Sequence, residues 1–223
     1  MPSLRSTKLE FASLLSYIPR KGGGDLGGQS RDMMRILKDG RMIGSPPAPL
    51  SDQIVSLIKS GVPEVAAIAS MLGPTAVLAP VPKSSLFKEG SLWVPEQIAN
   101  SFVMSGLGGR SARLLTRTRA IAKAATSLSS GRPRPTALDH LQTLSVQKEL
   151  RLAVEIVLID DVVTTGSTLL GCANKLLESY PSIPIRGFAA MRAVSNPLEF
   201  KHIVDPILGS ITLRSDGRCH RHP

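Results

Sequence analysis

A chain of 223 residues has room for one sizeable α/β domain with a real core, or for such a domain with an added lobe. Its 27 Lys and Arg against 17 Asp and Glu leave a formal charge of +10, which favours anionic ligands or polyanions. Two cysteines exclude a disulfide framework, and no stretch reaches the roughly eighteen apolar residues of a membrane helix. Aromatic residues make up only 4% and are not interleaved with basic runs, so nucleic acid is a weakly supported partner. Arg5, Lys8 and Glu10 stand where a signal peptide would need an apolar core, and a soluble cytoplasmic protein is expected.

Thr7 and Glu10 have capping-box spacing and predict a first helix over residues 8–16. The glycine-dense stretch 20–29 reads as a flexible surface loop. Ser30 is expected to cap a short helix over 31–38 that ends at Gly40 and leaves Arg35, Lys38 and Arg41 as a basic group. A proline-rich linker covers 44–49. Two further helices follow, from Ser51 to Lys59 and from Pro63, a favoured first helical residue, to Leu72. Residues 1–73 therefore read as a helical N-terminal extension to an α/β domain over 74–223.

The compact apolar run Ala76-Val77-Leu78-Ala79 predicts a strand feeding the rigid loop Pro80-Val81-Pro82-Lys83-Ser84-Ser85. Pro95 begins a helix through Val103, and residues 112–117 read as a second strand. From Thr118 to Thr136 the chain is rich in Arg, Lys, Ser, Gly and Pro, a mobile basic loop. Residues 137–146 predict a short helix with His140 on the surface.

The most informative stretch is EIVLIDDVVTTGSTLLGCANKL, residues 155–176. Ile156 to Ile159 run apolar without alternation, as in a strand covered on both faces, and stop at Asp160 and Asp161. Thr164-Thr165-Gly166-Ser167-Thr168 then forms a tight loop into a helix from Leu169 to about Leu177. A loop entering a helix offers unpaired N–H groups and the positive end of the helix dipole to a phosphate. The two carboxylates could accept hydrogen bonds from the vicinal hydroxyls of a ribose. The ligand implied is a ribose 5-phosphate. Neither G-x-G-x-x-G nor G-x-x-x-x-G-K-[ST] follows this strand, so a dinucleotide fold and a nucleoside triphosphatase are disfavoured. Another strand is expected over 185–191, a turn with a short helix from Asn196 to His202, and an edge strand at 211–213. The terminal Cys219, His220 and His222 lack a second ligand cluster and do not predict a metal site.

VLIDDVVTTGST closely resembles the phosphoribosyl pyrophosphate (PRPP) motif of the type I phosphoribosyltransferases, and APVPKSS resembles the pyrophosphate loop of their ComF-like branch. The resemblance implies the type I phosphoribosyltransferase fold, a twisted parallel sheet flanked by helices with a hood, and transfer of a phosphoribosyl group to a nitrogenous acceptor with release of pyrophosphate. It places ribose and Mg²⁺ at Asp160 and Asp161, and the 5-phosphate at Val163, Thr164, Thr165, Gly166, Ser167 and Thr168. Pyrophosphate would meet Pro82, Lys83, Ser84 and Ser85, with Arg117, Arg119, Lys123, Arg132 and Arg134 as cations on a closing loop. The chain departs from the branch at Glu89-Gly90-Ser91-Leu92-Trp93-Val94, where an Arg-Gly-Phe-Asn-Gln element is usual, and this leaves the acceptor open. A rival of another class is a non-catalytic PRPP- or nucleotide-sensing regulator associated with nucleic acid. A homo-oligomer is compatible with either.

Overall fold

The computed structural model describes residues 4–19, 22–122, 133–149 and 154–223. In chain order the elements are β1 (Lys8–Tyr17), α1 (Gly24–Asp39), β2 (Met42–Ile43), β3 (Ala48–Pro49), α2 (Leu50–Ile58), α3 (Pro63–Met71), β4 (Ala76–Pro80) and α4 (Val94–Met104). There follow β5 (Arg110–Ser111), β6 (Leu115–Arg117), α5 (Ala137–Gln142), β7 (Leu144–Val146), β8 (Glu155–Val163), α6 (Ser167–Leu177), β9 (Ile185–Ala193), β10 (Val204–Leu213) and β11 (Cys219–His222).

Seven strands form one sheet in the order β11-β10-β1-β9-β8-β4-β5. From β1 to β5 every neighbour is parallel, while β10 and β11 add an antiparallel edge. Both faces are covered. Val157, Ile159, Leu78 and Phe188 pack into one apolar layer with residues of α1 to α4. Ile156, Leu158, Val77 and Ala79 face the opposite layer, with Ala137 of α5 and Leu169, Leu170, Cys172 and Leu176 of α6. This two-sided burial is why β4 and β8 read as continuous apolar runs.

Residues 8–16, expected to be helical, are a strand. β1 lies between β9 and β10, burying Leu9 and Phe11 in one layer and Ala12 and Leu14 in the other. Its apolar content suits a helix face equally well, and only the two flanking strands decide between them. The first strand thus belongs to the sheet.

From Gly24 onward the glycine-rich stretch is helix rather than loop. α1 starts at Gly24 and takes in Gly27 and Gly28, and Ser30 sits inside it, with Oγ donating to the Gly27 carbonyl at 2.8 Å. A Cβ at Gly27 would meet the Gly22 carbonyl oxygen at 2.2 Å, so this glycine serves a close backbone approach.

Of the strand expected over 112–117, only Leu115–Arg117 is extended, as β6, which pairs antiparallel with β7 in a separate ribbon, while β5 just before that range pairs with β4; residues 144–146 are therefore extended rather than helical. The turn after Asn196 holds only a short 3₁₀ segment, Pro197–Glu199. β10 is second from the edge, and the chain's last residues form the edge strand β11. Among the described residues, no single helix is long and apolar enough to cross a membrane.

Candidate functional site

β8 does not stop at the acids but runs through them to Val163, placing Asp160 in register with Ala189 of β9. The carboxyl end of this strand is therefore where the pair stands. Asp160 is only 8% exposed. Burial, and then the charge of Asp161, push its carboxyl well above the ordinary range. Its Oδ1 accepts the N–H of Asp161 at 2.9 Å, and Asp161 Oδ1 accepts that of Val162 at 2.8 Å.

Two groups from distant segments interact electrostatically with Asp161. Lys38, in the last turn of α1, brings Nζ to 3.9 Å from Asp161 Oδ2. At the end of β1 the phenol of Tyr17 is shifted upward, first by burial and then by the charge of Asp161, while Arg134 opposes the shift. Sequence reasoning put Lys38 in a basic group without a role and passed over Tyr17, because nothing local links either residue to the acids.

The loop after β8 turns into α6 at Gly166, whose φ of 88° is left-handed. Gly166, the N-cap, brings no side chain to cap α6, which leaves the first-turn N–H groups available to a ligand among the described residues. Thr165 Oγ1 and Ser167 Oγ lie 3.1 Å apart, and Thr168 Oγ1 is 3.3 Å from His140 Nε2. From below, Arg221 of β11 donates through Nε to the Thr164 carbonyl at 3.0 Å and through Nη2 to that of Ala193. Burial and the neighbouring Arg192 pull its pKa down to about 10. The last strand thus braces the loop, a role no local signal in residues 218–223 announces.

His140 is buried, correcting its expected surface position: α5 lies against the first turns of α6, and a Cβ at Gly171 would meet the Cβ of His140 at 2.6 Å. Burial, then Arg117, lowers its pKa to about 4 from 6.5. Because the folded value lies below the unfolded one, protons favour the unfolded chain. Stability is whole above pH 6.5 and declines as pH falls towards 4. In urea denaturation at pH 7 and pH 4.5, His140→Gln is expected to lose about 2–3 kcal/mol less than the native chain. Parallel losses in the two proteins would refute this account.

β4 pairs with β8 up to Pro80↔Ile159, so the loop after β4 emerges one strand from the acids. Pro82 is buried, Lys83 and Ser84 are half-buried, and Ser85 is exposed. Lys83 Nζ donates to Ser91 Oγ at 3.0 Å, and the Ser84 carbonyl accepts the Ile121 N–H at 2.8 Å. Arg117 lies beneath the loop, with Nε donating to the Lys83 carbonyl at 3.1 Å and Nη1 to Thr143 Oγ1. Arg119 is exposed. Lys123 and Arg132 lie outside the described residues.

No family model matches this chain, and no curated protein does either.

Chemically, the arrangement offers a hydroxyl-rich helix start, a carboxylate pair and a lysine-bearing loop along the carboxyl ends of two adjacent strands. In open α/β sheets this edge is where ligands bind. Among the described residues no group of three or more His, Cys, Asp or Glu is placed to hold a metal. A hard cation at Asp160 and Asp161 would need most of its oxygen ligands from a bound substrate and water.

Proposed function

We propose that the chain has the type I phosphoribosyltransferase fold, binds PRPP with Mg²⁺, and transfers the phosphoribosyl group to a nitrogenous acceptor in the cytoplasm. The observation that carries this reading is the continuous unit of β8, Asp160-Asp161, the left-handed Gly166 and an uncapped α6. In it, Asp160 and Asp161 accept the ribose hydroxyls while the Thr164–Thr168 backbone and hydroxyls hold the 5-phosphate. Lys83, Ser84 and Ser85 receive the pyrophosphate.

The bond between ribose C1 and pyrophosphate breaks as the acceptor nitrogen attacks, through a state with positive charge on the ribose. Such a step is served by positioning and by charge placed in advance rather than by a protein nucleophile. The donor set fits Mg²⁺, because a divalent cation offsets the repulsion that keeps Asp160 from ionising beside Asp161. When bound it would neutralise phosphate charge.

A second reading, PRPP sensing without turnover, is favoured by Glu89-Gly90-Ser91-Leu92-Trp93-Val94, which stands in place of the branch's Arg-Gly-Phe-Asn-Gln element and brings no arginine to the leaving group. Calorimetric titration of PRPP with Mg²⁺ is expected to show saturable one-site binding. Pyrophosphate release with a panel of nitrogenous bases then separates transferase from sensor. Absence of PRPP binding would overturn both readings.

A further inference from the structure

Beside the Lys83 loop lies a pocket of about 110 Å³ lined by Phe87, Trp93, Arg113, Lys83, Leu115 and Arg117, among others. Its aromatic part is built by two rings, Phe87 and Trp93, whose centroids are 5.9 Å apart at 56°. The Arg113 guanidinium stands 5.0 Å from the Phe87 ring centroid and 5.2 Å from that of Trp93. Glu96 fixes it there, accepting from Nε at 2.5 Å and from Nη2 at 2.9 Å. Trp93 is itself held, because Nε1 donates to the Val81 carbonyl at 2.9 Å.

The polar lining has one sign. Lys83, Arg113 and Arg117 are its charged members, and no carboxylate is among the lining residues. Arg117 is 8% exposed, and its Nη2 has no hydrogen-bond partner among the described residues. A buried donor without an acceptor is costly, so its presence at a pocket points to an acceptor that arrives with a ligand. In size, an apolar cavity of about 150 Å³ holds a benzene ring, so the present open pocket suits one six-membered ring rather than a fused pair.

We propose that this pocket binds a small planar aromatic carboxylate, with its ring against Phe87 and Trp93 at the edge of the Arg113 guanidinium and its carboxylate turned to Lys83 and Arg117. Ring contacts with aromatic faces and a guanidinium supply shape and plane selectivity, and the cations supply charge selectivity. The site does not depend on PRPP binding.

Trp93 is the chain's single tryptophan, so its fluorescence reports on the pocket. In phosphate-free buffer without PRPP, the full chain would be titrated with benzoate, benzamide and cyclohexanecarboxylate, following Trp93 emission and heat. Benzoate is expected to bind at least about tenfold more tightly than either of the others, since one lacks the charge and the other the planar ring. Phe87 and Arg113 are both more than half exposed on the surface. Phe87→Ala and Arg113→Met should therefore keep the native melting temperature and each weaken benzoate at least about fivefold. The proposal is overturned if benzoate leaves Trp93 emission and heat unchanged, if benzamide or cyclohexanecarboxylate equals it, or if both variants bind it like the native chain. A failure of PRPP titration alone leaves this result standing, and the converse holds as well.

Discussion

The double substitution Asp160→Asn/Asp161→Asn is expected to lower affinity for PRPP with Mg²⁺ at least about a hundredfold in calorimetry while raising the thermal midpoint of the protein. Under the proposed function, the loss follows from removing both charged acceptors for the ribose hydroxyls and the metal, each such hydrogen bond contributing about 1.5–3 kcal/mol. The gain follows from Asp160, whose folded pKa lies above its unfolded value through burial and the charge of Asp161. For an acid raised in this way, the unfolded chain releases its proton first. Stability therefore falls as pH rises from the unfolded value towards the folded one, and a neutral amide is free of that loss. The carboxamide that replaces the Asp160 carboxyl would keep an oxygen for the backbone N–H of the next residue, now accepted at 2.9 Å, so the local backbone has no reason to move. Undiminished affinity in the variant would remove the acids from the ligand site, and a lower midpoint would contradict the electrostatic account.

Gly166→Val is expected to destabilise the chain by about 3 kcal/mol in urea denaturation and to abolish PRPP binding. Two separate costs act there. The backbone at φ 88° disfavours any Cβ, most of all a β-branched one, and a Cβ built at that position would meet Ile211 Cδ1 and Cγ1 at 2.6 Å. Ile211 is fully buried and belongs to β10, so it cannot swing away into solvent. The two costs can be told apart with Gly166→Ala and the pair Gly166→Ala/Ile211→Ala. The pair should relieve the steric cost and leave the dihedral one, giving a favourable coupling between the sites. If Gly166→Val and Gly166→Ala both stay within about 0.5 kcal/mol of the native chain, the close approach to Ile211 is not a constraint.

Helices α2, α3 and α4 were legible because each carries its own signals. The α3 and α4 segments open with a proline in the first turn, and α2 and α3 stop near Gly61 and Gly73. The run from Glu155 to Leu177 was legible for a similar reason, as strand, acids, loop and helix are contiguous and each residue's role depends on near neighbours. By contrast, residues 8–17 satisfy a helical pattern and a buried strand alike, and the Thr7–Glu10 spacing favoured the helix. The pairing that overrules it comes from β9 and β10, which lie almost two hundred residues further on.

What the sequence by itself determined, then, is the local unit at the carboxyl end of β8 and the helices that announce their own ends. Only the tertiary structure decided that β1 belongs to the sheet, that Tyr17 and Lys38 come within the field of Asp161, that Arg221 supports the Thr164 carbonyl, and that His140 is buried near Arg117. The physical reason is the same in each case. These groups meet because strands, and the helices and ribbon laid on them, bring together segments distant in sequence, and no short window of residues records which segments will be neighbours.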